Sequence, residues 1–372
     1  MTVPEKPALK FSLSELAGAF GDFGTIIPLI LAVALVTTMN VGYMLLFFGI
    51  WFLISGWYYG LPIPIEPMKA IAVIVIAEKL GAGEIAAAGI ILGFLFLLVS
   101  YGPLLLWLEK VIPEAVVRGI QLGLALLLVK TSIGFMTADP LYAGIGIAII
   151  LVFLVICTRC TIIPDLSALV IIGAGILAGV ILHGFPAMQI LAFPSLVIPA
   201  PADYITAMYS LVPSQALLTV TNAILATALL TKDLFRADVP AARLSRTIGL
   251  MNLTSVPFGG FPMCHGAGGL AGQYRYGART GAASLCAGVI FIVVALLFAS
   301  ADILTLISVG FFGALLVFVA LEMGQHALKT TSLPLTLLVG FLSLLVSMTA
   351  AFVIGIVVAY VMQRAGASRK VT

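Results

Sequence analysis

The sequence predicts an all-α polytopic membrane protein of about fourteen transmembrane segments, arranged as a 7+7 inverted repeat with two half-helices at segments 3 and 10. Three observations carry that expectation. First, the chain of 372 residues is 62% hydrophobic and 9% charged, where a soluble domain has roughly 25% charged residues; its mean hydropathy is +1.24. Second, apolar runs recur at Leu29 to Val36, Tyr43 to Ile54, Gly89 to Val99, Ala143 to Ile156, Leu285 to Phe298 and Phe341 to Val361. Extended to their breakers, they approach the ~20 residues of a spanning helix. The strict alternation of an outer-membrane barrel is absent. Third, two segments are short and follow prolyl or glycyl stretches, at equivalent places in the two halves.

Hydropathy and breakers place segments near 14–37, 42–60, 66–79, 85–108, 113–130, 141–157 and 166–183. A Pro-rich external linker, 184–207, follows. The second set lies near 209–231, 243–258, 264–275, 281–300, 303–322, 331–345 and 347–363. Met1 to Lys10 is polar, and no cleavable leader is expected. With the N-terminus (1–13) in the cytoplasm, alternation puts Lys6, Lys10, Lys110, Arg118, Arg159, Lys232, Arg236, Arg243, Arg246, Arg275, Arg279, Lys329, Arg364, Arg369 and Lys370 on the cytoplasmic side. Only Lys79 and Lys130 fall outside, and Lys69 lies within a segment. The positive-inside bias therefore supports both the segment count and a cytoplasmic tail at 364–372. The expected location is the cytoplasmic (inner) membrane.

Seven segments, an external linker and seven more make the second half enter from the opposite face. Weak echoes agree: "GTIIPLILAVALV" from Gly24 resembles "LLTVTNAILATALL" from Leu217, and "RGIQLGLALLLV" from Arg118 resembles "VGFFGALLVFVAL" from Val309. The third segment of each half is broken. In "LPIPIEPMKAIAVIVIAE" (Leu61 to Glu78) three prolines after Leu61 forbid regular helix up to Pro67. In the second half "GGFPMCHGAGG" does the same. A helix that begins inside a membrane leaves its first N–H groups without partners, and each N-terminus carries roughly +0.5 charge. Two such ends aimed at one point suit a small anion rich in oxygen.

The candidate substrate-binding residues follow from that picture. Pro67, Met68, Lys69 and Ala70 open the first half-helix; His265, Gly266, Ala267 and Gly268 open the second. Glycines there let a ligand approach the amides, and Gly268→Val is expected to block them; the alternative is tight helix packing, the role expected of Gly272 and Gly277. Lys69 supplies the cationic charge that two dipoles leave missing against a dianion, or pairs with Glu66 three residues earlier. Asp22, in "GAFGDFGT", serves proton coupling or half-helix orientation, or caps a neighbouring helix end; Glu66 joins it as a coupling or supporting group. His265 serves ligand or proton chemistry, or is a structural histidine. Asn222, beside Thr219 and Thr221, lines the cavity or bonds between helices. Gln121 faces the cavity from segment five, and Thr25 completes the set from segment one.

Four cysteines occur, with Cys157 and Cys160 in C-x-x-C spacing; without a second ligand pair they read as small residues at a helix end. Cys264 with His265 is the one candidate pair for an intramembrane enzyme, and adjacent residues make a poor dyad. No enzyme is expected. No nucleotide-binding motif is present, so ATP drive within this chain is not expected, and a formal charge of +3 does not point to nucleic acid.

"GAFGDFGTIIPLILA", "PIPIEPMKAIA", "VVRGIQLGLAL", "TVTNAILATALLTKDLF" and "MCHGAGGLAGQYRYGARTG" together resemble the high-affinity molybdate transporters, distant relatives of the sulfate permeases. Glu66 stands where the family pattern has glutamine. The resemblance implies the fold of sulfate permeases and nucleobase–proton symporters. Its core bundle (14–108 and 209–300) would slide like an elevator past a gate bundle (113–183 and 303–363). It implies a secondary active importer of molybdate, with tungstate beside it, bound as an oxyanion and not as a metal site. Proton coupling, surrounding membrane lipid and a homodimer are the further expected partners, with no cofactor and no nucleic acid. A sulfate or other oxyanion carrier and a passive anion channel are the alternatives on the same fold. A nucleobase carrier is disfavoured, because segments eight and ten offer Asn222 and His265 but no acid before Asp233.

Overall fold

A computed structural model describes residues 8–103, 107, 112–159, 166–194, 196–299, 306–346 and 348–364. They form a multi-pass helical membrane protein. Helices α1 (Leu13–Ala19) and α2 (Phe23–Val36) flank a tight 3₁₀ turn at Phe20–Asp22. Then come α3 (Val41–Tyr59), strand β1 (Glu66–Pro67), α4 (Lys69–Glu78), α5 (Ala82–Val99), α6 (Glu114–Ala138), α7 (Pro140–Arg159) and α8 (Ser167–His183). The second half holds α9 (Pro201–Thr206), α10 (Val212–Leu218) and α11 (Thr227–Phe235), joined by π-helical stretches at Ala207–Leu211 and Thr219–Ala226. It continues with α12 (Ala241–Ser255), β2 (Met263–Cys264), α13 (Ala267–Arg275), α14 (Ala282–Leu297), α15 (Val309–Ala327), α16 (Leu333–Leu345) and α17 (Met348–Arg364). Cys160, Lys6, Lys110, Arg369, Lys370 and the tail beyond Arg364 lie outside the described residues.

Two expectations need correction. Segment one is not a single helix. Glycines punctuate "GAFGDFGT", and the turn at Phe20–Asp22 presses on α13, so that a Cβ on Gly21 would meet the backbone of Gly272 and Gln273. The linker is shorter than 184–207. Pro201 starts α9, where its missing N–H costs nothing, and the Asp203 carboxylate accepts the Ala200 N–H at 2.7 Å. The remaining linker is pinned at Gln189, which exchanges backbone hydrogen bonds with Leu297 and Ala299.

The expectation of about fourteen spans is met in its coarse form, a multi-pass helical protein. Among the described residues, five helices are long and apolar enough to cross a membrane: Val41–Tyr59, Ala82–Val99, Glu114–Ala138, Pro140–Cys157 and Gln215–Phe235. Ser167–His183, Ala282–Leu297, Val309–Gln325, Leu333–Leu345 and Ala350–Met362 are apolar but shorter. The shortfall against fourteen has physical causes. The 3₁₀ turn divides the first span. α4, with 10 residues, reaches about 15 Å, half of the ~30 Å hydrocarbon layer; α12 carries Arg243, Arg246 and Asn252.

Packing joins the two halves throughout. α3 lies on α14, α5 on α12, and α6 on both α15 and α16. Small residues hold these seams together, as is usual where lipid supplies no hydrophobic drive. A Cβ on Gly49 would meet the Gly288 carbonyl at 2.8 Å, and one on Gly249 the Leu97 backbone nitrogen at 2.6 Å.

Candidate functional site

The prolines of "LPIPIEP" remove backbone donors and keep the chain extended between α3 and α4. The Ser55 hydroxyl fixes this stretch by donating to the Ile63 carbonyl at 2.8 Å. On the other side, Gly259 turns the chain at φ +83°, and Asn252 acts as a substitute strand. Its amide donates to the Met263 carbonyl at 2.7 Å, and its oxygen accepts the Met263 N–H at 2.9 Å. The two extended pieces pair antiparallel, with Glu66 opposite Cys264 and Pro67 opposite Met263. The Met68 N–H adds a bond to the Pro262 carbonyl at 2.9 Å. This pairing makes α4 and α13 start side by side.

A different group covers each of the two helix starts. At α4 the Gln215 oxygen accepts the N–H groups of Ala70 at 3.0 Å and Ile71 at 3.4 Å. The Gln215 amide donates to the Thr219 hydroxyl at 2.9 Å. At α13 the cover is Glu66, whose Oε1 accepts the Gly269 N–H at 2.6 Å. Its Oε2 is ion-paired with Lys69 Nζ. Glu66 is fully buried, and Asp22 is buried close by, across Gly269. Thr25 lies beside Asp22, yet neither Asp22 oxygen has a partner of good hydrogen-bond geometry among the described residues.

The glycines at α13 answer to these carboxylates. A Cβ on Gly266 would overlap the Glu66 carboxylate, and one on Gly269 would overlap both Glu66 and Asp22. Gly266 is extended, at φ −162°, a conformation open to any residue, so the demand there is for space. Gly268 is different. Its Cβ would make ordinary contacts with Leu128 at 3.6 Å and Leu124 at 3.8 Å. The steric block expected of Gly268→Val therefore belongs to Gly266 and Gly269. Beside the junction lies a cavity of about 420 Å³ whose lining includes Thr25, Lys69, Val73, Leu124, Leu128 and Phe135. Lys69 is the single charged residue among those lining it.

Pro67, Met68, Lys69, Ala70, Gly266, Ala267, Gly268, Thr25, Asp22 and Glu66 thus gather at one junction. Asn222 is buried on the π-helical stretch that touches α13, with its side-chain oxygen unpartnered among the described residues. His265 is placed elsewhere, as a clamp. In the neutral ring Nδ1–H donates to the Pro64 carbonyl at 2.8 Å, and Nε2 accepts from the Thr247 hydroxyl at 2.7 Å. Tyr59 packs edge-on at 5.8 Å. Both nitrogens are engaged within the protein, which corrects the ligand role expected of His265.

Gln121 also departs from expectation. Its amide donates to the Ala226 carbonyl at 3.0 Å, and its oxygen accepts from Arg118 at 3.2 Å. Arg118 is buried and ion-paired with Asp233 at 2.6 Å and Glu114 at 3.3 Å. These residues bridge α6 to α11 and do not line the cavity.

Sequence reasoning missed Gln215, Gly269 and Asn252. A glutamine inside the apolar run "VPSQALLTV" is itself a signal, because polar groups at membrane depth find a use. It also missed Glu15, whose Oε1 accepts the N–H groups of Arg279 and Thr280 at 3.1 and 2.9 Å. That carboxylate holds the turn in "YGARTG", so the second half of the glycine-rich motif is scaffold.

The family model described as "Molybdate transporter of MFS superfamily" matches residues 14–128 and 207–323. "Molybdate transporter 1" of Arabidopsis thaliana is 32% identical over 364 residues, covering 85% of this chain and 80% of the relative. "Molybdate transporter 2" of the same plant is 31% identical, covering 84% and 78%. Among solved structures, the transmembrane domain of the cyanobacterial bicarbonate transporter BicA superposes with a TM-score of 0.61 at 15% identity, over 93% of this chain and 98% of that one. The inward-facing murine anion transporter Slc26a9 gives 0.62 at 13%, over 97% and 70%. These two likenesses establish the fold.

Proposed function

The chain belongs to the molybdate transporter family, and from that premise we propose that it is a secondary active importer of molybdate, and of tungstate with it, across the cytoplasmic membrane. The observation that carries this reading is the side-by-side start of α4 and α13 with Lys69 between them and the cavity. Acting as half-helices, they aim main-chain donors and roughly half a positive charge each at one point. Lys69 adds a full charge. A tetrahedral dianion presents four oxygens to such donors, and its charge matches what two dipoles and one ammonium supply.

Transport follows an elevator course on this reading, the core (14–108 and 209–300) sliding past the gate (113–183 and 303–363). The packing supports an inverted repeat behind it. Exchanging the halves turns the α3–α14 contact into the α12–α5 contact. The ion pair between buried Arg118 and half-buried Asp233 joins a gate helix to a core helix and has to break during the slide. Asp22 and Glu66 are buried close together across Gly269, with Glu66 ion-paired to Lys69. Proton coupling at this acidic junction belongs to the same reading. Both termini are cytoplasmic on the charge bias.

Uptake into proteoliposomes tests the reading. Molybdate should accumulate against its gradient when an inward proton gradient is imposed, and excess tungstate should compete while sulfate does so far more weakly. Equal competition by sulfate would reassign the substrate. Equilibration without accumulation would make the chain a passive channel, and indifference to the pH gradient would remove the proton.

A further inference from the structure

The carboxylate of Glu66 occupies the place that the functional reading gives to the oxyanion. Its Oε1 sits on the Gly269 N–H, in the first turn of α13, and its Oε2 on Lys69 Nζ. These are the main-chain donor and the cation on which an external anion would draw. The site is built for a carboxylate, since Gly266 and Gly269 are the two positions where a Cβ would strike it. An acceptor without a partner accompanies it: Asp22 is 1% exposed, with both oxygens unpartnered among the described residues. A buried carboxylate in that condition carries an unmet desolvation cost, which a proton or a rearranged donor set relieves.

We propose that Glu66 is a tethered anion that fills the oxyanion cradle between transport events and must be displaced before the oxyanion binds. This rests on the oxyanion reading above and adds a competitor built into the chain. An approaching dianion meets a site whose donors are already engaged, and both negative groups compete for Lys69. Neutralising the side chain at position 66 removes that competition.

The groups that face Glu66 are Lys69 from α4, Asp22 from the turn before α2 and the Cys264 thiol from β2. α2 carries no titratable residue, and α13 carries only Tyr274 and Arg275, at its far end. His265 is turned to Pro64 and Thr247. Among the described residues, Asp22 is therefore the one other carboxylate at the junction.

Calorimetry of the purified full chain with molybdate separates these possibilities. Glu66→Gln keeps the size of the side chain and an oxygen for the Gly269 N–H but removes the charge. It should bind molybdate about ten-fold more tightly than the unaltered protein. Equal or weaker binding by Glu66→Gln, while the unaltered chain binds molybdate, overturns the tethered-anion proposal and leaves the transport reading standing. Failure of both proteins to bind molybdate at any pH removes the oxyanion reading and the proposal with it.

Discussion

α4 and α13 begin side by side from paired strands, yet the caps on their first turns differ in kind. At α4 the cap is a neutral amide, Gln215, anchored to Thr219. At α13 it is a carboxylate, Glu66, balanced by Lys69 and crowded by Asp22. A neutral amide satisfies main-chain donors without holding charge, and nothing about it changes when an anion arrives. A carboxylate on the same kind of donor competes directly with an anion. On the proposed reading the two helix ends divide the labour: the α4 end supports, and the α13 end discriminates.

The sharpest way to break that contrast is to fill the space at α13. Gly269→Val would push a side chain into Glu66 and Asp22. It should weaken molybdate binding by about 100-fold, the equivalent of an overpacking cost near ~3 kcal/mol. Gly268→Ala, which meets only the two leucines, should stay within about two-fold. Calorimetry on monodisperse protein checks both, and equal losses would show that the crowding by carboxylates is irrelevant.

Charge comes next. Lys69→Met leaves Glu66 buried without its partner, at a cost of about 3–5 kcal/mol, visible as a large drop in thermal midpoint in detergent. Molybdate affinity should fall with it, by at least about ten-fold. An unchanged midpoint would mean that the Glu66–Lys69 pair does not form.

The smallest effect is expected at the supporting end. Gln215→Leu removes the cap from Ala70 and Ile71 and should cost about 1 kcal/mol of stability. The order of preference among molybdate, tungstate and sulfate should not move. A change in that order, measured by competition in the same uptake assay, would erase the division between the two ends.

The helices and the paired breaks were legible because they follow from local backbone chemistry. Clustered as they are, the prolines at 62, 64 and 67 and the glycines at 259 and 260 interrupt the helical runs. The caps were not legible. Gln215 reaches Ala70 across 145 residues, and Glu66 reaches Gly269 across 203; spacing along the chain does not encode such partners. His265 misled because it adjoins the cradle in sequence. Successive side chains of an extended stretch point to opposite faces, and its own face meets Pro64 and Thr247. Gln121 misled for a related reason: Arg118, three residues earlier on α6, engages its oxygen and ties the pair to α11.

The most direct test of an oxyanion held at this junction is a structure of the chain with tungstate, whose scattering fixes its position without ambiguity. The account predicts the metal oxide between the first turn of α13 and Lys69, with the Glu66 carboxylate moved off the Gly269 N–H. Tungstate lodged elsewhere in the molecule, with Glu66 still seated on Gly269, would contradict it.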